Sequence, residues 1–233
     1  MINKERVGEW AAANRIALAP GKLDDLDRYA GEVAETNKQF NLTAITDPDD
    51  MEVRNIIDCL SVVPLIPEGA RVADVGTGAG FPGMVIRIIR DDVDMTLIEA
   101  TNKKLEFVCR TAEKLGYKVA GTHMRSEEAA RSALRGSFDV VTARAVAPLP
   151  VLLEYTLPLL KEGGTLLAMK GPAAEEEISQ SANALKELRG EVKEVHETEL
   201  PTGEKRCVIE VVQTGKCPAK YPRASGAIRK KPL

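Results

Sequence analysis

Arg71-Val72-Ala73-Asp74-Val75-Gly76-Thr77-Gly78-Ala79-Gly80-Phe81-Pro82-Gly83 decides how this chain folds. A short run of strand-forming residues, Arg71 to Val75, leads into a glycine-rich turn, and a helical pattern follows from Pro82 to Arg90. In a strand–turn–helix unit, glycines at this point let a ligand approach the backbone, so a nucleotide-like cofactor is expected here. Gly78-x-Gly80-x-x-Gly83 matches the dinucleotide fingerprint, and Glu99 closes the next strand-like run where an acid would accept hydrogen bonds from ribose hydroxyls. Spacing alone leaves the ligand open.

Charge separates the candidates. A dinucleotide would set its pyrophosphate against the turn, where the Asp74 carboxylate, two residues before the first glycine, would repel it in a poorly screened site. S-adenosylmethionine presents an ammonium and a sulfonium, both of which Asp74 would favour directly or through water. Gly76, Gly78 and Gly80 are then expected to make room for its amino-acid portion. Ser126 and Glu127, after the third strand, are expected to line the adenine pocket, and a serine cap on a helix with acids in its first turn is compatible with that role.

Outward from the turn, β-branched runs alternate with helical patterns, the mark of a mostly parallel sheet covered on both faces. Strands are expected at Arg71–Val75, Met95–Ile98, Tyr117–Ala120, Phe138–Ala143 and Thr165–Met169. Helices are expected at Pro82–Arg90, Asn102–Leu115, Glu127–Leu134 and Pro148–Leu160. A polar helix, Ala173–Leu188, precedes two further strands, Val192–Leu200 and Arg206–Gln213, joined by Pro201-Thr202-Gly203-Glu204. The expected fold is therefore α/β and Rossmann-like, a mostly parallel seven-stranded sheet closed by an antiparallel C-terminal hairpin. Such a hairpin suits a class I S-adenosylmethionine-dependent methyltransferase better than a dinucleotide dehydrogenase. Ahead of it, residues 1–66 read as a helical extension. It comprises Lys4–Leu18 and Lys22–Asn37, parted by Pro20-Gly21, and a third helix capped by Asp47 before Pro48 and running to Val63. Residues 67–213 form the expected catalytic domain and 214–233 a tail.

Composition narrows the classes. With 44% hydrophobic and 29% charged residues in 233, there is material for a substantial core. No apolar run is long enough to span a bilayer and the N-terminus lacks the apolar centre of a signal peptide, so a cytoplasmic protein is expected. Cys59, Cys109, Cys207 and Cys217 form no Cys-x-x-Cys pair, and only His123 and His196 could complete a site, so no metal is assigned. The formal charge is −3, yet Lys216, Lys220, Arg223, Arg229, Lys230 and Lys231 lie in the last 18 residues without any acid, so residues 1–215 must carry −9. The tail, rich in proline and glycine, is expected to be a flexible arm that neutralises RNA phosphates, with a merely solubilising tail as the alternative.

Methyl transfer is an in-line displacement in which alignment supplies much of the rate. Carbon-5 methylation of a pyrimidine needs a cysteine nucleophile, and no Pro-Cys pair occurs. The place of the Asn/Asp-Pro-Pro-aromatic motif of exocyclic amine methylases holds Thr142-Ala143-Arg144-Ala145-Val146-Ala147-Pro148. A ring nitrogen with a free lone pair requires no general base, which fits the lack of an obvious one. Arg144, at the end of the fourth strand, is expected to fix the cofactor or the target nucleotide by planar, multidentate hydrogen bonding.

Asn41-Leu42-Thr43, Asp74 through Gly83, Thr142-Ala143-Arg144-Ala145, Leu167-Ala168-Met169-Lys170-Gly171, Tyr221-Pro222-Arg223 and Lys230-Lys231-Pro232-Leu233 together resemble the RsmG/GidB family of 16S ribosomal RNA (guanine-N7) methyltransferases. The resemblance spans nearly the whole chain. It implies a guanine N7 target in the decoding region of the small subunit, 16S ribosomal RNA or the subunit itself as partner, and cofactor contacts at Gly76, Phe81, Ser126, Glu127 and Arg144. Where that family usually has His after the basic residue of the third helix and Ser after its Asp, this chain has Asn55 and Cys59. Lys103, Lys104 and Lys170 sit where phosphate contacts are expected. A monomer is expected. The competing readings are a methyltransferase of protein or small molecules, a nicotinamide-dependent oxidoreductase, and a silent RNA-binding module.

Overall fold

The computed structural model describes residues 2–233. Four of the five parallel strands carry central apolar runs whose side chains are buried on both faces, as a sheet sandwiched between helices requires. These are β1 (Arg71–Val75), β2 (Asp94–Glu99), β4 (Phe138–Arg144) and β5 (Leu160–Lys170). The fifth, β3 (Ala120–His123), is a mostly exposed edge. β6 (Gly190–Glu199) and β7 (Lys205–Gln213) form the C-terminal hairpin, and β7 runs antiparallel to β5. The seven strands lie in the order β3-β2-β1-β4-β5-β7-β6. Chain order reverses between β1 and β4, the switch point outside which such sheets bind ligands. Register aligns Val75 with both Ile98 and Ala143, so the loops after β1, β2 and β4 emerge side by side.

One face of the sheet is covered by α1 (Lys4–Ala13), α2 (Lys22–Asn37), α5 (Gly83–Ile89) and α6 (Asn102–Lys114). With them packs a composite helix made of α3 (Pro48–Asp50), a π-helical stretch Met51–Ile57 and α4 (Asp58–Leu60). The N-terminal helices therefore share one core with Val72 and Leu97 of the sheet. The other face carries α7 (Ser126–Ala129), α8 (Leu149–Thr156), α9 (Ala174–Gln180), α10 (Ala182–Leu188) and the tail helix α11 (Ser225–Lys230). No helix among the described residues is long and apolar enough to cross a membrane.

Several boundaries depart from the sequence reading for identifiable reasons. The third strand lies at Ala120–His123 rather than Tyr117–Ala120. Tyr117 instead donates its hydroxyl to Asp25 (2.5 Å) and lies beneath Lys22 and Arg87, tying the end of α6 to α2. The helix expected from Pro148 to Leu160 stops at Thr156 because Pro158 cannot donate within a helix, and β5 begins at Leu160. The polar helix is split at Ser181, whose hydroxyl donates back to the Glu177 carbonyl (2.7 Å).

The largest correction concerns the tail, which is folded onto the domain rather than extended as a flexible arm. Tyr221 is buried and donates to Glu187 (2.7 Å), while Ile228 is fully buried against Val151 and Tyr155. Arg131 and Arg135 donate to the carbonyls of Pro222, Tyr221, Cys217 and Pro218. Proline and glycine content suggested disorder, but a few anchoring side chains and an arginine clamp on the carbonyls are enough to order the segment.

Candidate active site

Three contiguous clefts open at the carboxyl ends of β1, β2, β4 and β5. The first, about 680 Å³, runs from Gly76 and Glu99 past Ser126 and Glu127 to α8 and the tail. The second, about 490 Å³, lies between the composite helix and the end of β5. The third, about 250 Å³, follows the glycine turn from Gly76 to Phe81 and includes Glu99, Lys104 and Arg144. Gly76 and Glu99 border the first and third, whereas Arg144 and Ala145 border the second and third.

The turn is held from within. The N–H groups of Gly76 and Thr77 donate to the Ile98 carbonyl, those of Gly80 and Phe81 to the Thr77 carbonyl, and that of Gly83 to Asp74 Oδ2 (2.9 Å). Gly78 N–H donates to Glu99 Oε2 (3.0 Å), while Glu99 Oε1 accepts from Thr101 N–H (2.8 Å). A pyrophosphate would need those same amide donors, and it would find a carboxylate already seated on them. A ligand with cationic groups meets no such conflict, and Glu99 keeps lone pairs free for hydroxyl donors.

Sequence-predicted residues separate into those that face the clefts and those that do not. Gly76, Gly78, Phe81, Glu99, Ser126, Glu127 and Arg144 line them. Asp74 does not: it is fully buried, its Oδ1 accepts from the Thr142 hydroxyl (3.0 Å), and burial pushes its carboxyl above the usual range. It braces the turn and presents no anionic rim to a ligand. Gly80 also faces away, because a Cβ there would lie 1.9 Å from the Tyr29 hydroxyl, which donates to the Ala79 carbonyl (2.6 Å). By contrast a Cβ on Gly78 would meet nothing nearer than 3.9 Å within the protein and would project into space that a ligand could use. Ser126 Oγ donates to the Tyr155 carbonyl (2.7 Å), joining the start of α7 to α8.

Arg144 is anchored by the composite helix. Its guanidinium donates to the Arg54 carbonyl and to Asn55 Oδ1 (2.6 Å), lies 3.5 Å from Asp58 Oδ2, and stands over the Phe81 ring (5.6 Å). Asn55, in the place of the histidine expected from the resemblance, is thus a buried partner of Arg144, and Cys59 is buried in the core. A π-helical turn at this point is the kind of local departure often found at functional sites. Lys170 is drawn inward, its Nζ donating to the Ala147 carbonyl (2.8 Å) and to Glu177 (2.7 Å), so it holds the floor of the second cleft instead of reaching outward. Arg223 is bound to Glu154, while Lys216, Lys220, Arg229, Lys230 and Lys231 are exposed, Lys220 beside Glu187 (3.1 Å). Lys103 is exposed.

Sequence reading missed Tyr155, Val151 and the tail residues Ser225, Arg229 and Pro232 as walls of the first cleft. Apolar residues on α8 look like any core stripe, and nothing local announces that a tail 70 residues later will complete the wall. Asp58 and Glu177, both bordering the second cleft, were missed as well, since their proximity depends on elements far apart in the chain.

The strand order and the glycine turn with its acid at the end of β2 define a class I S-adenosylmethionine-dependent methyltransferase fold. Similar solved structures include the O-methyltransferase from Bacillus cereus in complex with SAH (TM-score 0.56, 18% identity, covering 79% of this chain and 90% of that one). Another is M. jannaschii TYW2 in complex with AdoMet (TM-score 0.56, 14% identity, covering 67% and 74%). The family model described as GidB, rRNA small subunit methyltransferase G, matches residues 22–207. The ribosomal RNA small subunit methyltransferase G of Desulfitobacterium hafniense (strain Y51) is 41% identical over 221 residues, covering 94% of this chain and 92% of its own. That of Lactobacillus delbrueckii subsp. bulgaricus (strain ATCC BAA-365 / Lb-18) is 39% identical over 239 residues and is matched along the whole of both chains. The chain belongs to the rRNA small subunit methyltransferase G (GidB) family and is an rRNA methyltransferase.

Proposed function

We propose that the protein methylates N7 of a guanine in the decoding region of 16S ribosomal RNA, with S-adenosylmethionine as donor. It would act as a cytoplasmic monomer on the RNA or on the small subunit. The observation that carries the donor assignment is the turn in which the N–H groups of Gly76, Thr77, Gly78, Gly80, Phe81 and Gly83 are taken by Glu99, Asp74 and backbone carbonyls. Glu99 together with Lys104 and Arg144 gives the third cleft one acid and two bases, a match for the zwitterionic amino-acid end of the donor. Gly78 leaves room for that end, and Ser126, Glu127 and Tyr155 extend the site along the first cleft for the adenosine portion.

When bound, S-adenosylmethionine supplies an electrophilic methyl carbon on a sulfonium. The chain's own task is then to orient the acceptor and exclude water. Arg144, fixed by Arg54, Asn55 and Asp58, stands where the third and second clefts meet and sets their common border. The two carboxylates of the second cleft are each engaged by a cation, Asp58 by Arg144 and Glu177 by Lys170. An acceptor that loses no proton, such as guanine N7, suits that arrangement. The exposed Lys216, Lys220, Arg229, Lys230 and Lys231 support contact with RNA phosphates, whereas Arg223 and Lys170 are committed internally.

The test is to delete the gene and map 7-methylguanine in small-subunit RNA by chemical cleavage, then restore the mark in vitro with purified protein and S-adenosylmethionine. The expected result is loss and recovery at one guanine. An unchanged map would overturn the assignment. Calorimetric titration should show S-adenosylhomocysteine binding and NADH failing to bind.

A further inference from the structure

The second cleft has a composition suited to a nucleotide. Arg54, Arg144, Lys170 and Arg206 border it against Asp58 and Glu177, an excess of two positive charges that Glu204 at the rim reduces to one. At its rim Glu204 bridges Arg54 (2.6 Å) and Arg206, which ties the composite helix to the β6–β7 turn and leaves each guanidinium with N–H groups to spare. Two arginines held at one edge by a shared carboxylate are well placed to meet successive phosphates.

Of the two acids, Asp58 is committed to Arg144 and its side chain is only 9% exposed. Glu177 differs. Its Oε2 accepts from both Leu149 N–H (2.6 Å) and Lys170 Nζ (2.7 Å), which fixes the carboxylate, while no hydrogen bond among the described residues falls on Oε1. The result is a preorganised anionic acceptor beside the Ala145–Pro148 backbone that also borders the neighbouring clefts. Guanine alone among the four RNA bases carries an imino N1–H and an amino N2–H₂ side by side, and N2 lies on the edge opposite N7.

We propose that the second cleft receives the acceptor guanine, with Glu177 Oε1 accepting from its N2 amino group and Arg54 and Arg206 holding the flanking phosphates. The inference rests on the guanine-N7 reading above and adds the residue that selects the base. Anchoring N2 at Glu177 turns N7 away from it, and a base lacking the amino group leaves the carboxylate oxygen without that donor. Such a mismatch is strongly selective, because a site built to bond a donor rejects the analogue without one.

The experiment compares unmethylated 16S RNA carrying guanosine or inosine at the target position, as free RNA and in reconstituted subunits. Inosine keeps N7 and lacks only the 2-amino group. Wild-type kcat/KM is expected to fall at least tenfold on inosine. In Glu177→Gln the side-chain carbonyl is held by Leu149 N–H and Lys170, so the amide NH₂ replaces Oε1 and opposes the guanine amino group. Guanosine activity should fall and the guanosine-to-inosine ratio should approach one. A variant that merely loosened the fold would lower both substrates and keep the ratio. Unchanged S-adenosylhomocysteine affinity is expected for Glu177→Gln, and the wild-type ratio stands without any variant. Equal wild-type rates on both RNAs, or a ratio preserved in Glu177→Gln, would overturn the assignment of Glu177. No methylation of the guanosine RNA by the wild type would overturn the reading beneath it, and the inference with it. In the same RNAs, Arg54→Gln with Arg206→Gln should reduce the salt dependence of binding by about one to two in log–log slope, and an unaltered slope would remove the phosphate contacts.

Discussion

Arg223 closes on Glu154, 69 residues earlier in the chain, with Nε 2.9 Å from Oε1, Nη2 2.6 Å from Oε2, and its own backbone N–H 2.7 Å from Oε1. The Glu154 carboxylate has no exposure to solvent, so this pair locks the start of the tail helix α11 to α8. A residue that looks like part of a basic RNA arm therefore serves as the tail's internal fastening.

Removing the cation alone leaves an uncompensated buried carboxylate, a change that costs about 3 kcal/mol when water reaches the gap only in part. Arg223→Met is expected to lower the melting temperature by roughly 6 to 12 °C in a chain of this length. The double variant with Glu154→Gln should recover much of the loss. A thermal melt of the three proteins checks this, and a single variant as stable as wild type would show the pair to be dispensable.

The same fastening sets Ser225, Arg229 and Pro232 along the first cleft. Deleting residues 225–233 is expected to weaken S-adenosylhomocysteine binding about tenfold, equivalent to about 1.4 kcal/mol, because it strips one wall and uncovers Val151 and Tyr155. Isothermal titration measures it directly. Undiminished affinity would mean that the wall makes no contact with the ligand.

How far the chain could be read in advance depended on how local each signal was. The strand–turn–helix unit at Arg71–Gly83, Glu99 at the end of β2 and the C-terminal hairpin are carried by consecutive residues, so strand type and sheet class followed from periodicity and turn chemistry. β3 was misplaced because a mostly exposed edge strand has little apolar pattern, while Tyr117 beside it looks strand-like but packs on α2. Asp74, expected to face the ligand, instead braces the turn from within, since burial and the donors that surround an acid are tertiary facts. Glu177 and Asp58 border one cleft although 119 positions part them, and no spacing rule brings them together.

Arg144→Lys tests whether a planar fork is needed at the border of the clefts. A lysine retains the charge, but a single ammonium cannot serve the Arg54 carbonyl, Asn55 Oδ1 and Asp58 together while standing over Phe81. Methylation is expected to fall at least tenfold in kcat/KM with the fold intact by circular dichroism. A normal rate would remove Arg144 from the site.

Acid sensitivity should centre on Asp92, whose carboxylate accepts from Arg90 Nε and Nη2 (2.7 Å each) and from Gly69 N–H (2.8 Å). The Arg90 guanidinium is the main cause that holds its carboxyl well below the ordinary 3.8. The native state therefore binds that proton less readily than the unfolded chain. The stability it confers is fully present above the unfolded value and is lost as pH falls from about 4 through the depressed native value. Asp92→Asn should be less stable than wild type near pH 7, and the gap should narrow steadily below pH 4 in denaturant titrations. A gap independent of pH would assign the effect to shape instead of charge.

Gly78 and Gly80 both hold left-handed backbone, with φ of 58° and 89°, yet they should fail in different ways when given a methyl group. Each alanine incurs backbone strain of about 1 kcal/mol. At Gly80 the added carbon would also lie 1.9 Å from the Tyr29 hydroxyl and 2.9 Å from Met84, in a region where Tyr29 is fully buried and bonded to the turn. Gly80→Ala must displace α2 from the sheet or distort the turn, and is expected to lose several kcal/mol of stability, as overpacking at a buried contact does. At Gly78 the carbon enters the cleft without touching protein within 3.9 Å, so Gly78→Ala should stay within about 1 kcal/mol of wild type in unfolding. Its loss should appear in S-adenosylhomocysteine affinity, through a methyl group where the ligand needs close approach to the backbone. Parallel melts and titrations of the two variants decide the matter, and a Gly78→Ala protein that binds normally would show that the ligand does not use the space beside that turn.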